Sequence, residues 1–293
     1  MGGTSYSTVN RSLRATSLNY ATAPIIKTFS QQKERKAHNK MTSRGITLRE
    51  ARDSKIHPNS IPIILGLDVT GSMHHIPHHL IKEGLPKIMG GIIQSGVPDP
   101  ALLFLAYGDH ECDKEPLQVG QFESGDAELD MWLTQTYLEG GGGGNFGEAS
   151  GLVHYFAAHH CQTDHWDKRK KKGIIITIGD EPSLKLYPNP AMASVMSNGD
   201  ISEFTDVSIL AEAQEKWEVF HIYPTIGRGV RSDTDNYWGQ LLNDKYFKAD
   251  TYEEIINIVK KIVIEYSGVT IGGEATIEEA PQIPDLGEGP VIL

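Results

Sequence analysis

Three stretches of this chain are apolar without alternation: IPIILGL (61–67), ALLFLAY (101–107) and GIIITI (173–178). A strand with one wet face alternates polar and apolar residues, whereas an unbroken apolar run needs covering layers on both sides. WEVFHIYPT (217–225) reads as a fourth strand of this kind and DKYFKAD (244–250) as a short fifth, while PLQVGQFE (116–123) reads as an edge strand folding back beside 101–107. Between them lie helical patterns. IPHHLIKEGLPKIMGGII (76–93) has helical spacing at Ile76, Leu80, Ile88 and Ile92, with a kink or break at Gly84 to Pro86. DAELDMWLTQTYL (126–138) reads as another helix, the glycine loop at 140–144 runs into a third, and YEEIINIVKKIVIEY (252–266) is an amphipathic closing helix. Strands alternating with helices predict an α/β fold: a doubly wound, mostly parallel central sheet with one antiparallel edge strand and helices on both faces, Rossmann-like in plan.

The ends have another composition. Residues 1–40 carry seven Lys or Arg against one acid, Glu34, and 269–293 carry five acids and no base. Both lack hydrophobic periodicity, so they read as extended or disordered arms. The expected organisation is a basic extended arm over 1–58, a domain over 59–266 and an acidic flexible tail over 267–293. TLRE at 47–50 has the spacing of a capping box and predicts a short helix near Thr47 to Ser54.

A formal net charge of −11 argues against a surface that grips nucleic acid throughout and leaves only the basic N-terminal arm for that role. KRKKK (168–172) reads as a solvated loop. Cys112 and Cys161 are too few for a disulfide framework, and the first thirty residues lack the apolar run of a secretory signal. No stretch approaches membrane-spanning length, so the expectation is a cytoplasmic protein without a membrane partner.

In doubly wound sheets, ligands gather beyond the carboxyl ends of the strands, near the switch in strand order. The polar residues that follow the buried runs fall there. Asp68, Thr70 and Ser72 follow the first in LGLDVTGSM (65–73), Asp109 and His110 the second, and Asp180 and Glu181 the third. The glycine loop reaches its helix through Asn145 and Glu148. Oxygen donors arriving from separate loops, with no cysteine and no required histidine, describe a site for a hard cation, most naturally Mg²⁺ or Mn²⁺. Thr70 and Ser72 are expected to touch the metal, with Asp68 and Asp180 acting through bound water. The histidines at 74, 75, 78 and 79 offer pairs at helical spacing but no completing acid or thiol, and 159–165 is a similarly loose cluster.

Asp68-Val69-Thr70-Gly71-Ser72-Met73 resembles the D-x-S/T-G-S-M signature of the von Willebrand factor type A domain, whose motif is called the metal-ion-dependent adhesion site. The resemblance covers roughly 59–266. The glycine-rich GGGGNFGEA (141–149) and the acid in TIGDEPS (177–183) follow in the family's order. It implies a metal site of Asp68, Thr70, Ser72, Asp180 and Asn145. Two departures stand out. Gly144 occupies the place of the family's middle-loop Thr, so Asn145, Glu148 or water takes that role, and assigning Asp180 requires a shifted loop after the third strand.

The function this implies is a non-enzymatic, metal-dependent protein-binding module, an adaptor or assembly subunit. Its partner would supply an acidic group to the metal, within a larger assembly such as a ring-forming ATPase. Two other readings are a structural subunit of a particle that uses its terminal arms and a metal-dependent phosphohydrolase. The second lacks a D-x-D, because Thr70 stands where the further acid would be, and Ser72 lacks a G-x-S-x-G elbow.

Overall fold

The computed structural model describes residues 4–140, 144, 147–196 and 202–268. In chain order the strands are β1 (Arg49–Ala51), β2 (Ile61–Asp68), β3 (Pro100–Tyr107), β4 (Leu117–Val119), β5 (Cys161–Thr163), β6 (Gly173–Ile178), β7 (Leu186–Tyr187), β8 (Phe204–Thr205), β9 (Trp217–Pro224) and β10 (Tyr246–Ala249). The helices are α1 (Thr8–Ser17), α2 (Ile25–Thr28), α3 (His75–His79), α4 (Leu85–Gln94), α5 (Asp126–Thr134), α6 (Gly151–His160), α7 (Asp164–Asp167), α8 (Asn189–Val195), α9 (Asp206–Lys216), α10 (Ser232–Leu242) and α11 (Tyr252–Tyr266).

The unbroken apolar runs form the middle of one six-stranded sheet in the order β10-β9-β6-β2-β3-β4. Every pairing is parallel except β4, which runs antiparallel to β3 at the edge. The chain leaves β2 for β3 on one side and returns to β6 on the other, so the switch in strand order falls at β2. The predicted α/β architecture, with its antiparallel edge strand, is the one observed.

Alternate residues of β2 serve opposite layers. Ile63, Leu65 and Leu67 pack with Leu80, Ile88, Leu129 and Val259, whereas Ile64 packs with Val153, Phe156, Ile209 and Trp238. Each such side chain contributes about 1.5–3 kcal/mol on burial. Gly66 lets α6 approach: a Cβ there would stand 3.1 Å from a methyl of Val153.

The helix expected over 76–93 forms, and the break at Gly84 to Pro86 takes a specific shape. Between α3 and α4 the chain makes a π-helical turn over Leu80–Gly84. Pro86 has no amide hydrogen for the carbonyls one turn behind it. The carbonyl of Ile81 instead accepts from the Arg11 guanidinium, which reaches it from α1.

That contact belongs to a correction. The segment 1–58 is not an extended arm where it is described, because three of its arginines meet acids of the domain. Arg11 is 1% exposed and pairs with the equally buried Asp130 at 2.7 Å, and Arg14 pairs with Asp126 at 2.6 Å and Asp130 at 2.7 Å. Phe29 and Met41 are fully buried in the same core as β2. The boundary placed at residue 59 is therefore not a packing boundary.

The short helix expected near Thr47 to Ser54 is also absent. Arg49–Ala51 forms β1, parallel to β5, and Glu50 pairs with Arg52 at 3.0 Å instead of closing a capping box. Arg52 goes on to Asp164 at 3.0 Å and Asp167 at 2.7 Å, which holds the segment against α7. The tail expected over 267–293 lies outside the described residues from 269 onward. Among the described residues, no helix is long and apolar enough to cross a membrane.

Arg11→Ala would take from the buried Asp130 one of its two cations, leaving Arg14 alone, and leave the Ile81 carbonyl without its donor. It is expected to cost about 3–5 kcal/mol in chemical denaturation. Leu13→Ala, on the exposed side of α1, should change stability by no more than about 0.5 kcal/mol. Equal, small effects of the two substitutions would show that α1 is not anchored in this way.

Candidate functional site

Asp68 ends β2 at the switch point, in register with Tyr107 at the end of β3. Its side chain is 1% exposed. The amide and the hydroxyl of Thr70 both donate to Asp68 Oδ1, at 2.8 and 2.7 Å. The Thr70 and Ser72 hydroxyls lie 3.4 Å apart, and the Ser72 hydroxyl donates to Asp180 Oδ1 at 3.0 Å. Four of the five residues singled out in the sequence thus form one continuous polar cluster across two loops. Asn145 lies outside the described residues.

Asp68 Oδ2 is enclosed and has no hydrogen-bond partner, and so is Oε2 of Glu148, a residue 6% exposed. Burial, reinforced by Asp180, pushes the Asp68 carboxyl up to about 8. Burial, reinforced by Asp68, pushes Glu148 up to about 10. Both carboxyls are costly to ionise where they stand, unless positive charge arrives.

Backbone pairing holds the loops together. Glu148 donates its amide to the Pro182 carbonyl at 2.9 Å and accepts from the Leu184 amide at 2.9 Å, while Ala149 donates to Gly108 at 2.7 Å. The Tyr107 hydroxyl crosses the end of β2 to donate to the Ile178 carbonyl at 3.2 Å. Only glycine fits at 179, since a Cβ would collide with that hydroxyl and stand 3.3 Å from Asp68 Oδ2.

The other candidates separate. Asp109 and Asp113 shape their own turn: Asp109 accepts from the Glu111 amide at 2.7 Å, and its own amide donates to Asp113 at 2.8 Å. The four histidines split among three partners. His74 bonds the Val69 carbonyl at 3.0 Å, His78 bonds the Ala23 carbonyl at 3.1 Å, His75 meets the Tyr252 hydroxyl at 3.1 Å, and His79 stacks on the Tyr252 ring. Near 160, the His160 ring bonds the Thr47 carbonyl at 2.9 Å. Among the described residues, no group of three or more His, Cys, Asp or Glu side chains is placed to hold a metal ion. A cation at this edge would therefore depend on the hydroxyls and on water as well as on the acids. The basic run at 168–172 is largely neutralised, with Lys168 on Asp164 at 2.7 Å and Arg169 on Asp53 at 2.8 Å.

Sequence reasoning missed Arg228, which donates to Asp180 Oδ2 at 2.8 Å from a side chain 57% exposed. Gly227 and Gly229 on either side have φ of +72° and +74°. The available signal was a lone arginine between two glycines just past a buried strand.

No protein-family model matches the chain, and no curated protein matches it. Among solved structures it is similar to the pilus adhesin SpaC from Lactobacillus rhamnosus GG, at 10% identity over 75% of this chain and 31% of that one, with a TM-score of 0.47. It is similar to a von Willebrand factor type A protein from Catenulispora acidiphila at 12% identity, over 72% of this chain and 43% of that one, with a TM-score of 0.38. For the conserved hypothetical protein BatB from Bacteroides thetaiotaomicron the identity is 11% over 72% of this chain and 100% of that one, with a TM-score of 0.44. The chain thus spans about a third of SpaC and less than half of the Catenulispora protein. The central parallel sheet with its antiparallel edge, and the acid-and-hydroxyl loop that ends β2, match the α/β plan and the motif read from the sequence.

Proposed function

We propose that this chain is a divalent-cation-dependent protein-binding module. Asp68, Thr70, Ser72 and Asp180 would hold Mg²⁺ or Mn²⁺, and an acidic side chain of a partner protein would complete the cation's shell. The observation that carries this reading is the enclosed, partnerless Oδ2 of Asp68 at the head of a hydrogen-bonded chain of oxygens. A buried carboxylate oxygen without a donor is costly, and a cation is the group that would satisfy it.

Charge favours the same reading. A divalent cation that ionised Asp68 and Glu148 would be matched by their two charges, Asp180 being already paired with Arg228. The cation would supply positive charge for the partner's carboxylate. Thr70 would keep Asp68 oriented, and Arg228, exposed at the rim, would attract the incoming acid before it docks. The N-terminal basic residues that prompted the particle-subunit reading are in part used inside the fold, at Arg11 and Arg14.

Mg²⁺ or Mn²⁺ is expected to raise the thermal midpoint, by the equivalent of about 2.7 kcal/mol at a hundredfold excess over the dissociation constant. Asp68→Ala should abolish that rise. No response of the unaltered protein to either ion would sink the cation reading. Affinity capture should retain proteins that chelator releases and that Asp68→Ala fails to bind.

In chelator, pH gives an independent check. Both raised carboxyls contribute stability that is present below the ordinary carboxylate range and is lost as pH rises through their folded values. The midpoint is therefore expected to fall from about pH 5 to about pH 9, and Asp68→Asn to flatten part of that fall. A variant that tracks the unaltered protein across the whole range would show that Asp68 is not held protonated by its surroundings.

A further inference from the structure

Beside the candidate site lies a second feature that the cation reading does not use. A cleft of about 520 Å³ is lined by Ile25, Ile26 and Leu138 on its apolar side and by Arg35 and Lys114 on its rim. It adjoins the site through His74, which lines the cleft and bonds the carbonyl of Val69, between Asp68 and Thr70. Ile26 is 53% exposed. Arg35 and Lys114 have no ion-pair partner among the described residues, in contrast to Arg11, Arg14 and Arg52 of the N-terminal segment. Glu139, the acid in the cleft, is turned to the Lys114 and Glu115 amides at 3.0 and 3.3 Å. The cleft thus combines aliphatic surface with two cations and one acid, a lining of net charge +1.

One segment of this chain has the complementary composition. Residues 269–293 carry Glu274, Glu278, Glu279, Asp285 and Glu288, no base, and interleaved aliphatics at Ile277, Ile283 and Leu286. Reach is sufficient. α11 starts two residues after Asp250, beside the carboxyl end of β10, and its fifteen residues carry the chain about 22 Å back to the amino end of β6, where Gly268 lies against Lys171. The 25 residues that follow Gly268 can span up to about 80 Å, more than three times the length of that helix.

We propose that the acidic, aliphatic segment 269–293 docks in the cleft between Ile26, Leu138, Arg35 and Lys114. Its aliphatic side chains cover the apolar side while its carboxylates pair with the two rim cations. Docking needs no metal ion. Its consequence rests on the cation reading: a docked segment brings carboxylates next to Asp68 and competes with an acidic partner.

The test uses a fluorescent peptide of residues 269–293 and a chain ending at Gly268, which keeps every described element of the fold, in chelator. Polarisation should report binding that weakens as salt rises. The double charge reversal Arg35→Glu with Lys114→Glu should weaken it by at least about tenfold. Ile26→Asp should weaken it too, and the full chain should bind the peptide less than the shortened one does. Thermal unfolding of each variant guards against a folding defect. No binding to the shortened chain, or binding that survives the charge reversal in a folded variant, overturns the proposal. Either result leaves the cation reading standing, since chelator is present throughout.

Discussion

A carboxylate at the end of a strand covered on both faces must be met by donors or by positive charge, and much of this molecule's chemistry follows from that constraint. β2 occupies the switch in strand order, and its last residue, Asp68, is almost fully enclosed. Thr70 satisfies one carboxylate oxygen twice over, and the other is left without a partner. The surrounding architecture preserves that arrangement. Gly179 leaves room for Tyr107 to bridge β3 and β6 across the end of β2, and Ser72 ties the loop to Asp180.

The N-terminal segment shows how charge can be spent within a fold. Read as a string, residues 1–40 are a basic tail in search of an anion. In three dimensions Arg11 and Arg14 close on Asp126 and Asp130 of α5, and Arg11 also serves the Ile81 carbonyl in the π-helical turn that Pro86 helps to impose. That turn lies in the helix that begins just past the Asp68 loop, so the segment braces the element next to the candidate site. Replacing either partner of a buried pair leaves the other charge exposed to a low-dielectric interior, which makes such a brace sensitive to single substitutions.

Legibility was highest where one local rule decided the outcome. The unbroken apolar runs identified the inner strands, because two-sided burial leaves no alternation to see. D-x-T-x-S behind the first of them marked three members of the polar cluster, because short-range geometry alone can turn three oxygens toward one point. The TLRE spacing misled, because pairing of Arg49–Ala51 with β5 and the reach of Arg52 to α7 outweighed a capping preference worth about 1 kcal/mol. Arg228 was invisible because its partner lies 48 positions earlier in the chain, and no spacing rule links them.

The sequence by itself determined the layered α/β plan, the two-sided burial of the inner strands and the identity of the oxygens that follow the first of them, since each follows from burial pattern and neighbouring residues. Tertiary structure alone decided which of those oxygens are satisfied, where the N-terminal cations go, and which cations remain unpaired beside the cleft. Apart from the bond of Thr70 to Asp68 two residues away, these depend on contacts between residues dozens to more than a hundred positions apart, whose pairing is set by the packing of whole elements and leaves no periodic trace in the chain.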